Sequence, residues 1–153
     1  MQIREDDIQR ADILALLAAH LRYAAETTPP ENIYALDPEA LDSPDITFYS
    51  ARDDRDELLG CGALRQLSPE HGEIKSMHTA ERARRQGVGR AMLAHLIAEA
   101  RGRGYRQLSL ETGNMDAFAA ARSLYYGYGF VPCGRFGDYP DNPDSVFMTL
   151  RLD

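Results

Sequence analysis

Three things are scarce in this 153-residue chain, and each scarcity removes a class of function. Cysteine occurs only twice, at Cys61 and Cys133, which is too few for a disulfide framework and fits reduced thiols. No run of apolar residues approaches the ~20 needed to span a bilayer, and Met1 to Asp7 lacks the basic and apolar regions of a secretory leader. The expectation is therefore a cytoplasmic protein with no membrane partner. Net positive charge is also missing. At −7 the chain does not carry the basic face of a nucleic-acid binder.

What is present reads as an ordinary folded unit. Apolar content of 44% is enough to build a core at this length, and no repeat, low-complexity tract or linker divides residues 1–153, so one domain is expected. Gln2 to Arg4 is a short strand. Ile8, Ala11, Ile13, Leu14, Leu17 and Leu21 recur at helical spacing behind an Asp6 or Asp7 cap. Thr27 to Glu31 breaks that helix, and Asp37-Pro38 opens a short second one. Ile46–Arg52, Glu57–Leu64 and Glu73–Thr79 read as an antiparallel meander, with turns at Asp53–Asp56 and Ser68–Gly72. A helix with Leu93, Leu96, Ile97 and Ala100 on its apolar face follows, ending at Arg101–Gly104. Then come a strand from Tyr105 to Thr112, an Asp116-capped helix through Tyr125, and strands at Phe130–Cys133 and Val146–Leu152. This order predicts an α+β fold with a mixed, mostly antiparallel sheet of about seven strands and about four helices.

The most informative segment is Arg84-Arg85-Gln86-Gly87-Val88-Gly89-Arg90, where arginines cluster on an otherwise acidic chain. Its glycines allow close backbone approach, and the following helix start offers free N–H groups, a combination that holds phosphate without a metal. Known nucleotide loops do not match. Walker A needs Gly-Lys-Ser/Thr, whereas Gly89 is followed by Arg90-Ala91. A dinucleotide fingerprint needs Gly or Ala at position 92, which is Met92. A zinc-deaminase pairing of His71-Gly72-Glu73 with Pro132-Cys133 fails because Phe136 stands where the second cysteine belongs, and no metal is expected.

Arg84-x-x-Gly87-x-Gly89 opening a helix, after a strand and ahead of Leu124-Tyr125-Tyr126-Gly127-Tyr128-Gly129-Phe130, resembles the GNAT superfamily of N-acetyltransferases. These motifs cover about the last half of the chain. Glu73–Thr79, Leu110–Gly113 and Phe136–Tyr139 further resemble a bacterial group of acetyltransferases whose substrate is generally unassigned. The resemblance implies a V-shaped splay between strands 4 and 5 that takes acetyl-CoA as cosubstrate. Met77, His78 and Thr79 would lie along the pantetheine, amides of Gln86, Gly87, Val88, Gly89 and Arg90 would hold the pyrophosphate, and Arg84, Arg85 and Arg90 would neutralise it. Asn114 would contact the pantetheine arm. Tyr125 would be the general acid facing the thioester sulfur. Glu73 would deprotonate the amine through water, with Glu111 and His78 in reserve.

Acetyl transfer to an amine needs a proton removed from the ammonium, a donor for the oxyanion and a proton for the departing thiolate. Direct attack through a tetrahedral intermediate gives Cys61 and Cys133 no required role. The expected partner is a small-molecule amine or amino-acid-like acceptor, with the protein a monomer or homodimer. A protein N-terminus or lysine as acceptor, and a non-catalytic acyl-CoA-binding module, are the alternatives. Acidic surroundings favour a cationic acceptor, while Arg22, Arg52, Lys75 and Arg135 are candidates to grip a carboxylate. Asp138 and Tyr139, in the loop Gly134–Asp144, are candidates to hold the amine.

Overall fold

The computed structural model describes residues 1–152. Seven strands form one sheet in the order β1-β2-β3-β4-β5-β7-β6. They are β1 (Gln2–Glu5), β2 (Ile46–Arg52), β3 (Leu58–Ser68), β4 (His71–Thr79), β5 (Gln107–Gly113), β6 (Val131–Pro132) and β7 (Ser145–Arg151). The four helices are α1 (Ala11–Thr27), α2 (Pro38–Leu41), α3 (Val88–Gly102) and α4 (Ala119–Gly127). All neighbours pair antiparallel except β4 and β5, which are joined through α3 and run parallel.

Alternating residues of β2 and β3 send side chains to opposite faces, and each face carries its own core. Phe48, Leu58, Cys61 and Ala63 pack with Ile13, Leu16 and Leu17 of α1 and Leu41 of α2. Tyr49, Leu59 and Leu64 pack with Met92, Leu93, Leu96, Ile97 and Ala100 of α3. The α3 face expected from periodicity is thus the buried one. Tyr125 of α4 joins this second core.

Three boundaries differ from the sequence expectation. Helix α1 begins at Ala11 behind Arg10, with no side-chain cap, because the aspartates are engaged elsewhere. Asp6 accepts hydrogen bonds from Ser50 (2.6 Å) and Arg52 (3.0 Å), and Asp7 accepts from the Gln9 N–H in a turn. Strand β3 runs on to Ser68, so only Pro69 and Glu70 make the turn. Its polar end is held by side chains: Arg65 pairs with Asp45 at 3.2 Å, and Tyr105 donates to Gln66 at 3.1 Å. Asp116 does not cap α4; it starts a 3₁₀ turn, Asp116–Phe118, that precedes the helix.

Two irregularities open the molecule where ligands could enter. Strands β4 and β5 pair only between His71–Ile74 and Gln107–Leu110. Immediately beyond, the β3–β4 register shifts, so that Ser76 and Met77 oppose Gly62 alone, with Ser76 at φ 55°. Such a bulge bends its strand. From Lys75 to Thr79 the β4 main chain has no ladder partner on its β5 side.

Candidate active site

Along the free edge of β4 runs a cleft of about 420 Å³, walled by β4, α1, the start of α3, and α4. Its rim is the connection from β4 to α3. Ala83, buried to 1% exposure, anchors this segment, and Arg82 turns outward to donate to the Leu58 carbonyl. Arg85 adopts φ 65° and Gly87 φ 81°, both in the left-handed region. Gly87 precedes α3 without a capping side chain, leaving the first-turn N–H groups free. With the helix dipole, these donors are suited to an anion. Gly89 sits beside Leu124, whose Cδ2 lies 3.4 Å from the position a Cβ would take. A larger residue here would narrow the cleft.

Of the residues singled out from the sequence, Met77, His78, Thr79, Arg84, Arg85, Gly87, Val88, Gly89 and Tyr125 line this cleft. Gln86 and Arg90 do not. The Gln86 side chain donates to the Arg82 carbonyl, and the exposed Arg90 offers its carbonyl to Tyr128 Oη at 3.3 Å. Asn114 is also turned away. Its side-chain amide donates to Pro143 O at 2.6 Å and its N–H to Asp144 O at 3.0 Å, which makes it a loop clasp. The Arg84 guanidinium carbon lies 5.7 Å from the centre of the Tyr23 ring, steadying it at the cleft edge.

A second chamber of about 130 Å³ meets the cleft, and His20, Met77, Phe118, Ala121 and Tyr125 line both. Tyr125 therefore stands at the junction. Burial, and then the charge of Glu111, push its hydroxyl up to about 12, so it carries a proton at neutral pH. Glu111 lines the chamber and accepts a 2.7 Å hydrogen bond from Ser145; burial raises it above the ordinary carboxylate value. These two groups have the opposite protonation needs of an acid and a base.

Glu73 occupies a different place. It is 1% exposed, lines neither cavity, and accepts a hydrogen bond from Tyr139 at 2.5 Å, with Lys75 Nζ at 3.5 Å. Lys75 in turn donates to the Tyr139 hydroxyl at 2.6 Å. Tyr139 is a strut in this buried triad, its hydroxyl pushed far up by burial and by Glu73, and Asp138 is exposed. Neither lines the chamber.

The segment from His20 to Tyr34 and the loop from Gly134 to Asp144, expected to wall the acceptor pocket, both contribute to the chamber, but their individual contacts left no signal in the sequence. His20 of α1 meets His78 of β4 with their Nδ1 atoms 3.2 Å apart. Burial, then His20 and Arg84, bring His78 down to about 4, so it is neutral at pH 7. The Ser76 hydroxyl is enclosed, lines the chamber and has no hydrogen-bond partner. Across the chamber, Asn32 donates to Asp144 at 2.5 Å and the Tyr34 ring meets Tyr139 edge-on at 5.4 Å. These contacts join residues 58 to 112 positions apart, beyond any local pattern. Cys61 is buried with its thiol directed at the Ser76 carbonyl (3.2 Å) and raised to about 12 by burial, so it is no thiolate nucleophile. Among the described residues no group of three or more His, Cys, Asp or Glu is arranged for a metal ion, and no helix is long and apolar enough to cross a membrane.

The comparisons with known proteins agree with this geometry. The model of the acetyltransferase (GNAT) family matches residues 11–130. The chain is 49% identical over 152 residues to YsnE of Bacillus subtilis (strain 168), named an uncharacterized N-acetyltransferase, covering 99% of this chain and all of that one. Among solved structures, an acyl-CoA N-acyltransferase from Klebsiella pneumoniae superposes with TM-score 0.80 at 32% identity, covering 99% and 97% of the two chains. A Bacillus subtilis acetyltransferase in complex with CoA shares the fold, with TM-score 0.74 at 22% identity and 99% and 98% coverage. The chain belongs to the GNAT family and is an acyltransferase enzyme.

Proposed function

We propose that the protein transfers the acetyl group of acetyl-CoA to the amine of a small molecule by direct attack. The observation that carries this reading is the position of Tyr125, a protonated phenol at the junction between a long cleft and a small chamber. The free β4 edge from Lys75 to Thr79 suits an extended pantetheine, added like a strand. The uncapped N–H groups of α3, flanked by Arg84 and Arg85, suit the pyrophosphate.

In the chamber, Glu111 takes the proton from the acceptor ammonium. The freed nitrogen attacks the thioester carbon to give a tetrahedral intermediate, which collapses with cleavage of the C–S bond. Main-chain N–H groups at the Ser76–Met77 bulge are candidates to receive the oxyanion. Tyr125 gives its proton to the leaving sulfur and is restored by the second proton lost from the acylated nitrogen, while Glu111 releases the first to solvent. Glu111 thus replaces Glu73 as base in this reading, and Glu73 holds Tyr139 and Lys75 in place. A small acceptor is favoured over a protein because the Asn32–Asp144 hydrogen bond ties two walls together in a chamber of only about 130 Å³.

Acetyl-CoA at 100 times its Kd is expected to stabilise the protein by about 2.7 kcal/mol. At roughly 2–4 °C per kcal/mol for this size, that is a Tm rise of several degrees. Tyr125→Phe should keep that rise and lose about 10²–10⁴ in thiol release with an accepted amine. Full turnover in Tyr125→Phe would remove the acid role. Binding without thiol release from any amine would mark a sensing module instead.

A further inference from the structure

The chamber beside Tyr125 has an unbalanced charge, and this bears on what it accepts. Four cations were candidates to grip a carboxylate, and the fold removes three of them. Arg52 is 1% exposed and bound to Asp6 and Asp12. Arg22 faces a separate outer groove beside α1, and Arg135 is exposed on its loop. Among the described residues Lys75 is the only lysine or arginine in the chamber wall, and it is already committed to Tyr139 and Glu73. Its charge is answered by Glu73. Lys75 also bears on Glu111, but one lysine shared by Glu73 and Glu111 leaves the chamber with carboxylate in excess, Asp144 without a cation, and the Ser76 hydroxyl unpartnered. His20 adds no positive charge, since burial lowers it.

We propose that the acceptor is a small amine bearing a second cationic group and no carboxylate. The inference rests on the acetyl-transfer reading of the same chamber. Glu111 serves the reacting nitrogen, and Asp144, held by Asn32, faces the second cation. An amino acid would bring its carboxylate into a chamber already in carboxylate excess, with no free cation to receive it, a like-charge contact in a mostly desolvated space. Size agrees: about 130 Å³ is close to the roughly 150 Å³ of a cavity that admits benzene, or a six-heavy-atom chain.

Three amines of one carbon skeleton isolate the remote group: 1,4-diaminobutane, n-butylamine and 4-aminobutyrate. Each is measured by thiol release with acetyl-CoA, and separately by the Tm shift it adds to the CoA complex, which needs no turnover. Close charge pairs in desolvated sites couple strongly enough that the diamine should exceed butylamine about tenfold in kcat/KM, and 4-aminobutyrate by more. Asp144→Asn should collapse the preference over butylamine to within about threefold. Asn32→Ala breaks the same bridge but keeps the charge, so it should retain the preference; this separates electrostatics from loop disruption. Equal or better use of 4-aminobutyrate, or no added shift from the diamine on a CoA complex that forms normally, overturns the inference. If acetyl-CoA itself fails to shift the Tm, the acetyl-transfer reading falls as well, so the two failures are distinguishable.

Discussion

At the scale of single residues, the site turns on which of two nearby carboxylates meets the acceptor. Glu73 and Glu111 lie on adjacent parallel strands, two residues apart in shared register: Glu73 sits opposite Ser109, two positions before Glu111. A sequence shows both on strands but not which one the opening sheet turns toward the chamber. The bulge at Ser76–Met77 decides it, because the strands separate beyond Ile74, and Glu111 lies past the last paired residue Leu110 while Glu73 lies before it. A base must be ionised, so activity should fall as pH drops through the Glu111 value, which burial places above the ordinary carboxylate range. Glu111→Gln is expected to lower kcat/KM by about 10²–10⁴ and to abolish that acid limb. Glu73→Gln, acting only through Tyr139 and Lys75, should lose less and keep the limb. A pH profile of both variants checks the assignment, and an intact limb in Glu111→Gln would return the role to another group.

At the scale of elements, what was legible was local. The Arg84–Gly89 segment, the α3 apolar face and the antiparallel meander are each written in fewer than about a dozen consecutive residues per element, where spacing and backbone preference act directly. Helix starts were less legible, because Asp6 and Asp7 look like caps until Ser50 and Arg52, more than 40 positions away, engage Asp6. The same limit hid the partners of His20, Asn32 and Tyr34, which sit across the fold. The α3 entrance carries its own prediction. Gly87 has φ 81° and open space for 4 Å around a would-be Cβ, so Ala there meets backbone strain and no clash. Gly87→Ala should cost about 1 kcal/mol, a Tm loss of roughly 2–4 °C, and weaken the acetyl-CoA-induced shift as the free N–H groups are displaced. Asn tolerates the left-handed region, so Gly87→Asn should recover most of the intrinsic Tm. An unchanged acetyl-CoA shift in Gly87→Ala would argue that the anion lies elsewhere.

At the scale of the whole molecule, one buried ion cluster fixes how α1 lies against the sheet, and therefore where His20 stands. Arg52, at the end of β2, is 1% exposed and joins Asp6, which follows β1, at 3.0 Å and Asp12, in the first turn of α1, at 2.7 Å. The Arg52 hydrogen bond holds Asp12 below its ordinary value. Asp6 is also held below, burial being outweighed by the Ser50 hydroxyl, the Asp7 N–H and Arg52. Both folded values are depressed, so this stabilisation is fully present above the unfolded carboxylate value near ~3.9 and is lost as pH falls through the folded ones. Removing Arg52 alone leaves the buried Asp6 with only its longer, partly exposed pairs to Arg10 (3.5 Å) and Arg4 (3.8 Å). Arg52→Met should therefore cost about 3 kcal/mol at pH 7, the low end for breaking a buried pair, read by urea denaturation. The gap to the parent should narrow as pH falls below ~3.9, where the parent loses the stabilisation carried by its depressed folded carboxylates. The double variant Arg52→Met with Asp6→Asn should recover part of the loss at pH 7 and flatten the remaining acid dependence, because the group that drives it is gone. A gap that stays constant from pH 7 to pH 3 would mean that Arg52 stabilises the sheet edge by packing alone, and that α1 is placed by its apolar face rather than by charge.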